Sequence, residues 1–142
     1  MRILVAVDGS APANRAVAYA ITLARSSDYA LIILVNVQGP ETLEVSDVSA
    51  VMSRNADRKL VERRSKTALR KAVQICRDAQ VKFETRVELG PIAATINRVA
   101  RQLDVDQIVI GSRGLGAVGR LVLGSVATKV AHLARVPVTL VK

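Results

Sequence analysis

The stretch QIVIGSRGLGAVGRLVLGSV, residues 107–126, decides the fold, because it passes from a buried strand through a run of glycines into a helix. Its Ile-Val-Ile segment is short and β-branched, which is typical of a strand buried on both faces. Apolar residues then recur at helical spacing from Val122 to Leu133. The glycines let backbone N–H groups converge without obstruction by Cβ atoms, and Ser125 adds a hydroxyl near the start of the helix. A strand–loop–helix unit of this kind predicts a phosphate-binding site.

The spacing of the glycines excludes two common phosphate-binding motifs. Residues 114–119 match G-x-G-x-x-G, but that dinucleotide fingerprint opens a βαβ unit with an acidic residue about 20 positions later. No Asp or Glu follows Asp106, and the Gly-Lys-Ser/Thr of a P-loop is absent from the sequence. What remains is G-x2-G-x9-G-S, formed by Gly111, Gly114, Gly124 and Ser125. A purely structural, glycine-rich turn is the alternative interpretation.

The G-x2-G-x9-G-S pattern resembles the nucleotide-binding signature of the universal stress protein family, in its ATP-binding branch. The resemblance covers nearly the whole chain. Residues 3–12 (ILVAVDGSAP) are similar to the family's opening strand and turn, residues 31–37 (LIILVNV) to its second strand, and residues 136–141 (VPVTLV) to its closing strand. It implies that the ligand is ATP, with AMP or ADP as alternatives. A magnesium ion would be held mainly by the phosphates, since the sequence lacks a His, Cys or carboxylate cluster at metal-ligand spacing.

Strand and helix patterns alternate along the chain. They predict strands at 3–8, 31–37, 82–88, 107–110 and 138–141. A helix follows each of the first four strands, with the second helix at 57–79 and the third beginning at Pro91. The stretch 38–56 is expected to be irregular. Short buried strands joined by helices indicate a parallel sheet with right-handed crossovers. The resemblance implies the strand order 3-2-1-4-5. We therefore expect a single α/β domain over residues 1–142, with a doubly wound, Rossmann-like, five-stranded parallel sheet and helices on both faces.

The site is expected beyond the carboxyl ends of strands 1 and 4, where the winding reverses. The resemblance implies that Asp8 contacts the adenosine part and that the backbone of Val37 recognises the adenine edge. It further implies that Gly111 lets the ribose approach and that the phosphates receive donors from Gly114, Gly124, Ser125 and Val126. The alternative for Asp8 is a turn-forming carboxylate. Ser10 is expected to cap the first helix, because a proline follows shortly after it.

The composition bounds the class of protein. A length of 142 residues suits one domain. No apolar run approaches the roughly 18 residues of a membrane span, and the first strand leaves no room for a signal segment before it. We therefore expect a soluble, cytoplasmic protein. Cys76 is the only cysteine and shares a helix face with Ala68, Ala72 and Ala79, which predicts a packed rather than a reactive thiol.

The net charge of +9 is concentrated in residues 54–71, where eight Arg and Lys face two acidic residues. Such a segment suits nucleic acid, acidic lipid or an acidic protein, although the sequence by itself favours a solvated helix face. With two Tyr and one Phe in the chain, a base-stacking platform is not expected. Arg113 and Arg120 lie in the glycine loop, where they would neutralise phosphate charge or remain in solvent.

No catalytic set is apparent in the sequence. His132 is the only histidine, and it lies two turns past the glycine loop, out of reach of a phosphate bound there. We therefore expect an ATP-binding sensor or regulator of a stress response. The alternatives are a slow ATP-hydrolysing or nucleotidyl-transferring enzyme, and a basic nucleic-acid-binding module with a structural glycine loop. The apolar last strand would lie at a sheet edge, and the resemblance implies a two-fold, antiparallel homodimer through Val136 to Val141.

Overall fold

The computed structural model describes residues 1–39, 54–112 and 124–142, with the backbone alone at 54–57. Strands and helices alternate in these ranges, as the sequence pattern predicts. In chain order they are β1 (Arg2–Ala6), α1 (Ala11–Ala24), β2 (Leu31–Gln38), α2 (Arg54–Asp78), β3 (Phe83–Leu89), α3 (Ile92–Gln102), β4 (Gln107–Gly111), α4 (Ser125–Leu133) and β5 (Val138–Val141).

The strands form one five-stranded sheet in the order β3-β2-β1-β4-β5. Every neighbouring pair is parallel. The predicted fold class and strand order are therefore confirmed. β1 is the central strand, and the winding reverses between β1 and β4. Ligands of doubly wound sheets bind at this reversal, beyond the carboxyl ends of the strands.

Two hydrophobic cores enclose the sheet, because alternate side chains of each strand point to opposite faces. On one face, Ile3, Val5 and Leu34 pack against α1 and α2. On the other face, Leu4 and Ile33 pack against α3 and α4. The central residues of β1, β2 and β4 are almost fully buried, so the sheet is a rigid platform for the loops at its carboxyl edge.

Several element boundaries differ from the prediction. β1 ends at Ala6 rather than at residue 8, because the chain turns at Gly9, whose φ is +86°. β2 reaches Gln38 and α2 begins at Arg54, so both ends of the stretch predicted to be irregular are regular. Residues 40–53 of that stretch lie outside the described residues. α3 begins at Ile92, with Pro91 as its N-cap residue.

Cys76 lies in the core between α2 and the sheet, as its spacing predicts. It is fully buried, and burial raises the pKa of its thiol to about 11. Because the thiolate is the reactive form, the thiol is inert at neutral pH.

Candidate functional site

Three strand ends lie side by side at the carboxyl edge of the sheet. Ala6 of β1 pairs with Val35 of β2 and with Ile110 of β4. Two positions further along the three chain segments stand Asp8, Val37 and Ser112. These residues therefore lie at about the same height along the direction of the strands. The sheet thus brings the predicted residues Asp8 and Val37 to the same edge as the end of β4, where the predicted Gly111 precedes Ser112, although these residues are far apart in the sequence.

The turn after β1 is fixed by its own hydrogen bonds. The half-buried Asp8 accepts a hydrogen bond from the Ser10 backbone N–H through Oδ1, at 2.9 Å. The Ser10 hydroxyl accepts one from the Ala13 N–H at 3.2 Å, which confirms Ser10 as the N-cap of α1. Between them, Gly9 adopts a left-handed conformation, and a Cβ there would lie 3.2 Å from the Cα of Ala68 in α2. Asp8 therefore has the turn-forming role, and its place at the sheet edge leaves the ligand role open to it as well.

Gly111 has a packing reason to be glycine. A Cβ at this position would lie 2.8 Å from the carbonyl carbon of Pro12, 2.9 Å from its Cβ and 3.0 Å from the backbone nitrogen of Ala13. These distances are too short for any side chain, so the glycine permits the start of α1 to pack against the end of β4. That the ribose also approaches here stays a prediction.

The backbone of Val37 faces a gap between β1 and β2. Odd-numbered residues of β2 bond to β1, as the Leu31 N–H does to the Met1 carbonyl at 2.9 Å. By this alternation the Val37 N–H would reach the Val7 carbonyl. Instead the Asn36 side-chain amide donates to that carbonyl, at 2.7 Å. The described residues show no hydrogen bond from the Val37 N–H to Val7, so a gap in the ladder of hydrogen bonds opens here between β1 and β2. That Val37 recognises the adenine edge stays a prediction.

A buried polar pair supports this gap, and our sequence analysis missed it. The Gln38 amide donates to Asn36 Oδ1 at 2.7 Å, so the two side chains form a chain of hydrogen bonds that ends on Val7. Asn36 and Gln38 are 2% and 8% exposed. Their signal in the sequence is that two amides interrupt an otherwise apolar strand, where a buried polar group needs a partner.

The start of α4 presents backbone donors. Ser125, Val126 and Ala127 occupy the first turn, whose N–H groups have no carbonyl within the helix to bond to. The described residues place neither a side-chain cap nor an acidic residue on this turn. The Gly124 N–H, in contrast, donates to the Ser112 carbonyl at 2.7 Å. The predicted residues Ser125 and Val126 therefore lie where an anion would bind, and Ala127 joins them, while the Gly124 amide ties the helix to β4.

The remaining predicted contacts cannot be placed. Arg113, Gly114 and Arg120 lie outside the described residues. Among those that are described, no three His, Cys, Asp or Glu side chains come together as a metal site would require. Within the same ranges, no helix is both long and apolar enough to cross a membrane.

Comparison with known proteins agrees with this geometry. The model of the universal stress protein family matches residues 1–142. A putative universal stress protein of Staphylococcus haemolyticus is 34% identical and aligns over 99% of this chain and 83% of its own. The universal stress protein UspA of Lactobacillus plantarum superposes with a TM-score of 0.79 at 25% identity, covering 100% of this chain and 97% of the other.

Two of the similar solved structures contain an adenine nucleotide. The universal stress protein of Archaeoglobus fulgidus in complex with dAMP has a TM-score of 0.72 and 27% identity, covering 100% of this chain and 98% of the other. A universal stress protein in complex with cAMP matches with the same score and identity, covering 100% and 97%.

Proposed function

The chain belongs to the universal stress protein family, and on that premise we propose that it binds ATP at the carboxyl edge of its sheet. Occupancy of this site would regulate a partner during stress, rather than support fast turnover. AMP and ADP would compete with ATP for the same site, because the three nucleotides share the adenine and the ribose that the site contacts.

One observation carries the proposal. Three kinds of group that a nucleotide needs come from three separate elements and meet at the reversal between β1 and β4. They are the Val37 N–H in the gap beside β1, the Asp8 carboxylate at the end of β1, and the donors of the first turn of α4. The described residues supply no protein partner to the exposed Ser125 hydroxyl, so it is available to a ligand.

The role of each residue follows from its chemistry. The carboxylate of Asp8 can accept hydrogen bonds from ribose hydroxyls, and the Val37 backbone can pair with the adenine edge. The amides of Ser125, Val126 and Ala127 suit a phosphate, since the helix dipole also favours negative charge there. Gly114 and Arg113 belong to the same set by their position in the motif. A magnesium ion would be held mainly by phosphate oxygens.

The neighbours that contain dAMP and cAMP support the adenine part of this proposal. Both ligands carry one phosphate, so they support binding of the nucleoside and of the first phosphate. The further phosphates of ATP would lie along the amides of α4. A binding role is favoured over hydrolysis, because the sequence shows no catalytic set and its histidine, His132, lies two turns past the start of α4.

Calorimetric titration with ATP, AMP and cAMP tests the site. The variant Ser125→Ala loses one hydrogen bond to a charged phosphate, worth about 1.5–3 kcal/mol, so ATP affinity should fall at least about tenfold. Ser26→Ala is the matched control, because Ser26 is an exposed serine just after the end of α1, at the opposite edge of the sheet. Equal affinities of the two variants for ATP would place the phosphates elsewhere, and no binding by the unchanged protein would refute the proposed function.

We also propose that the protein is a two-fold dimer formed through β5. The sheet has two edge strands, and they differ in chemistry. β3 carries Glu84, Arg86 and Glu88, charges that discourage pairing with a further strand. β5 carries no charge, and its Leu140 is 38% exposed. An uncharged, partly apolar edge is the one that a second copy would cover.

A further inference from the structure

The exposed side of α2 carries a row of unpaired cations. Lys59, Arg63, Lys66, Arg70 and Arg77 are separated by four, three, four and seven positions, and all are exposed. Because an α-helix repeats every 3.6 residues, these side chains lie within a narrow stripe. The stripe is about 27 Å long, at 1.5 Å of rise per residue. We call these five residues the basic row.

Within the part of the chain that the structure describes, no side chain neutralises the basic row. From residue 58 to the end of α2 there are two acidic residues, and both are engaged elsewhere. Glu62 pairs with Arg58 at 3.2 Å, and Asp78 accepts a hydrogen bond from Gln74 at 2.7 Å. Within the described ranges, no member of the basic row has an ion pair or a hydrogen bond. The neighbouring helix α1 contains no acidic residue.

Packing fixes the direction in which the row points. The opposite side of α2, with Leu69, Ala72 and Cys76, is buried in the core against α1 and β2. The helix therefore cannot rotate to pair its cations or to expose its apolar side. A straight line of exposed charge on a protein with a net charge of +9 suits a partner whose negative charges are also closely and regularly spaced.

We propose that the basic row binds the phosphate backbone of duplex nucleic acid, independently of base sequence. A duplex carries one phosphate per strand for about every 3.4 Å of its axis, so a segment as long as the row has roughly eight phosphates on each strand, of which those that face the row can be contacted. Arg and Lys along a helix supply point charges and bidentate donors for such oxygens. The inference does not depend on the proposed function, because it rests on the charges of α2 alone.

The chemistry of α2 disfavours the other polyanions. An interfacial helix must insert an apolar side into a membrane, but that side of α2 is buried in the core, and none of the exposed large apolar residues belongs to α2. A single strand is held mainly by stacking on aromatic rings, and α2 contains none. A duplex needs neither feature, because its phosphates are held rigid by the helix.

Fluorescence anisotropy with a labelled duplex of about 24 base pairs, titrated between about 50 and 200 mM salt, measures the interaction. Five phosphate contacts predict that log K falls with log salt concentration with a slope of about −4.5. In the variant Arg63→Gln/Lys66→Gln/Arg70→Gln, we expect the slope to flatten by about 3 units and the affinity at the lowest salt to fall at least about tenfold.

The matched control removes the same charge from the opposite layer. Arg101, Lys129 and Arg135 are exposed there, and Arg101→Gln/Lys129→Gln/Arg135→Gln should change the slope by less than about 1 unit. Circular dichroism verifies that each variant is folded. Equal losses by both triple variants would mean that only net charge matters, and would overturn the proposal.

Three competitors complete the test. Duplex DNA and duplex RNA of equal length should both displace the probe, whereas the single strand should do so more weakly. Vesicles that contain phosphatidylserine should compete poorly at equal charge, and so should polyglutamate. Stronger competition by the vesicles or by polyglutamate, or no binding of the duplex at the lowest salt, would refute the inference.

Discussion

Asp8 has both a structural and a proposed ligand role, and two substitutions separate them. Its Oδ1 accepts from the Ser10 N–H at 2.9 Å, which holds the turn between β1 and α1. In Asp8→Asn the side-chain oxygen can still accept this hydrogen bond, but the negative charge is gone. In Asp8→Ala both the acceptor and the charge are lost.

The structure gives the size of each effect. A hydrogen bond from a backbone N–H to a charged group contributes about 1.5–3 kcal/mol, and one to a neutral group about 0.5–1.5 kcal/mol. Asp8→Asn should therefore lower the free energy of unfolding by about 1–1.5 kcal/mol, and Asp8→Ala by about 2 kcal/mol. At roughly 2–4 °C per kcal/mol, the second change lowers Tm by about 4–8 °C.

ATP affinity and thermal stability should respond differently to Asp8→Asn. If ribose hydroxyls donate to the carboxylate, replacing it by a neutral amide weakens a charge-assisted hydrogen bond by about 1.4 kcal/mol, which is about tenfold in affinity. We thus expect Asp8→Asn to bind ATP about tenfold more weakly, while its Tm falls by less than that of Asp8→Ala. Calorimetric titration and thermal unfolding followed by circular dichroism measure the two quantities on the same sample.

Asp28→Asn is the control, because Asp28 is exposed at the opposite edge of the sheet and the change in net charge is the same. It should leave both quantities unchanged. If Asp8→Asn bound ATP as tightly as the unchanged protein, Asp8 would be a turn residue alone, and the ribose would have to be recognised by another group.

Three further predictions concern stability, reactivity and assembly. Gly111→Ala places a methyl group 2.8 Å from Pro12, so overpacking should lower the free energy of unfolding by about 1–3 kcal/mol in denaturant titration. The adjacent control Ser112→Ala should lower it by less than about 1 kcal/mol. Equal stability of the two variants would mean that α1 shifts freely. Burial raises the pKa of the Cys76 thiol from its ordinary value of 9.0 to about 11. The buried, protonated thiol therefore contributes fully to the free energy of unfolding below pH 9, and this contribution is lost as the pH rises toward 11. Urea titrations should show that loss, Cys76→Ala should lack it, and rapid alkylation of the folded protein at neutral pH would contradict the burial. At β5, the carbonyls of Pro137 and Val141 accept hydrogen bonds from the chain segment of β4, so the backbone of Leu140 faces the open edge. Leu140→Pro should therefore yield a folded monomer by light scattering, whereas Thr139→Pro should unfold the protein. A monomeric unchanged protein would refute the dimer.

The sequence by itself determined which elements form and in which class they assemble. Runs such as Ile108–Ile110 and the apolar spacing in α1 and α2 are local patterns, and each specifies a strand or a helix through its own periodicity. The burial of Cys76 and the cap at Ser10 follow from such patterns as well. So does the position of the glycine motif at a junction between a strand and a helix.

Only the tertiary structure decided what these residues contact. Gly111 is required by Pro12, the Gly124 amide is taken by the Ser112 carbonyl, and Asn36 rather than Val37 bonds to Val7. Each pair joins segments whose separation depends on the parallel register and on the path of the crossovers, and no local pattern encodes either. The same holds for the basic row, because its charges are visible in the sequence, but whether the described residues neutralise them depends on which surfaces the fold places beside α2.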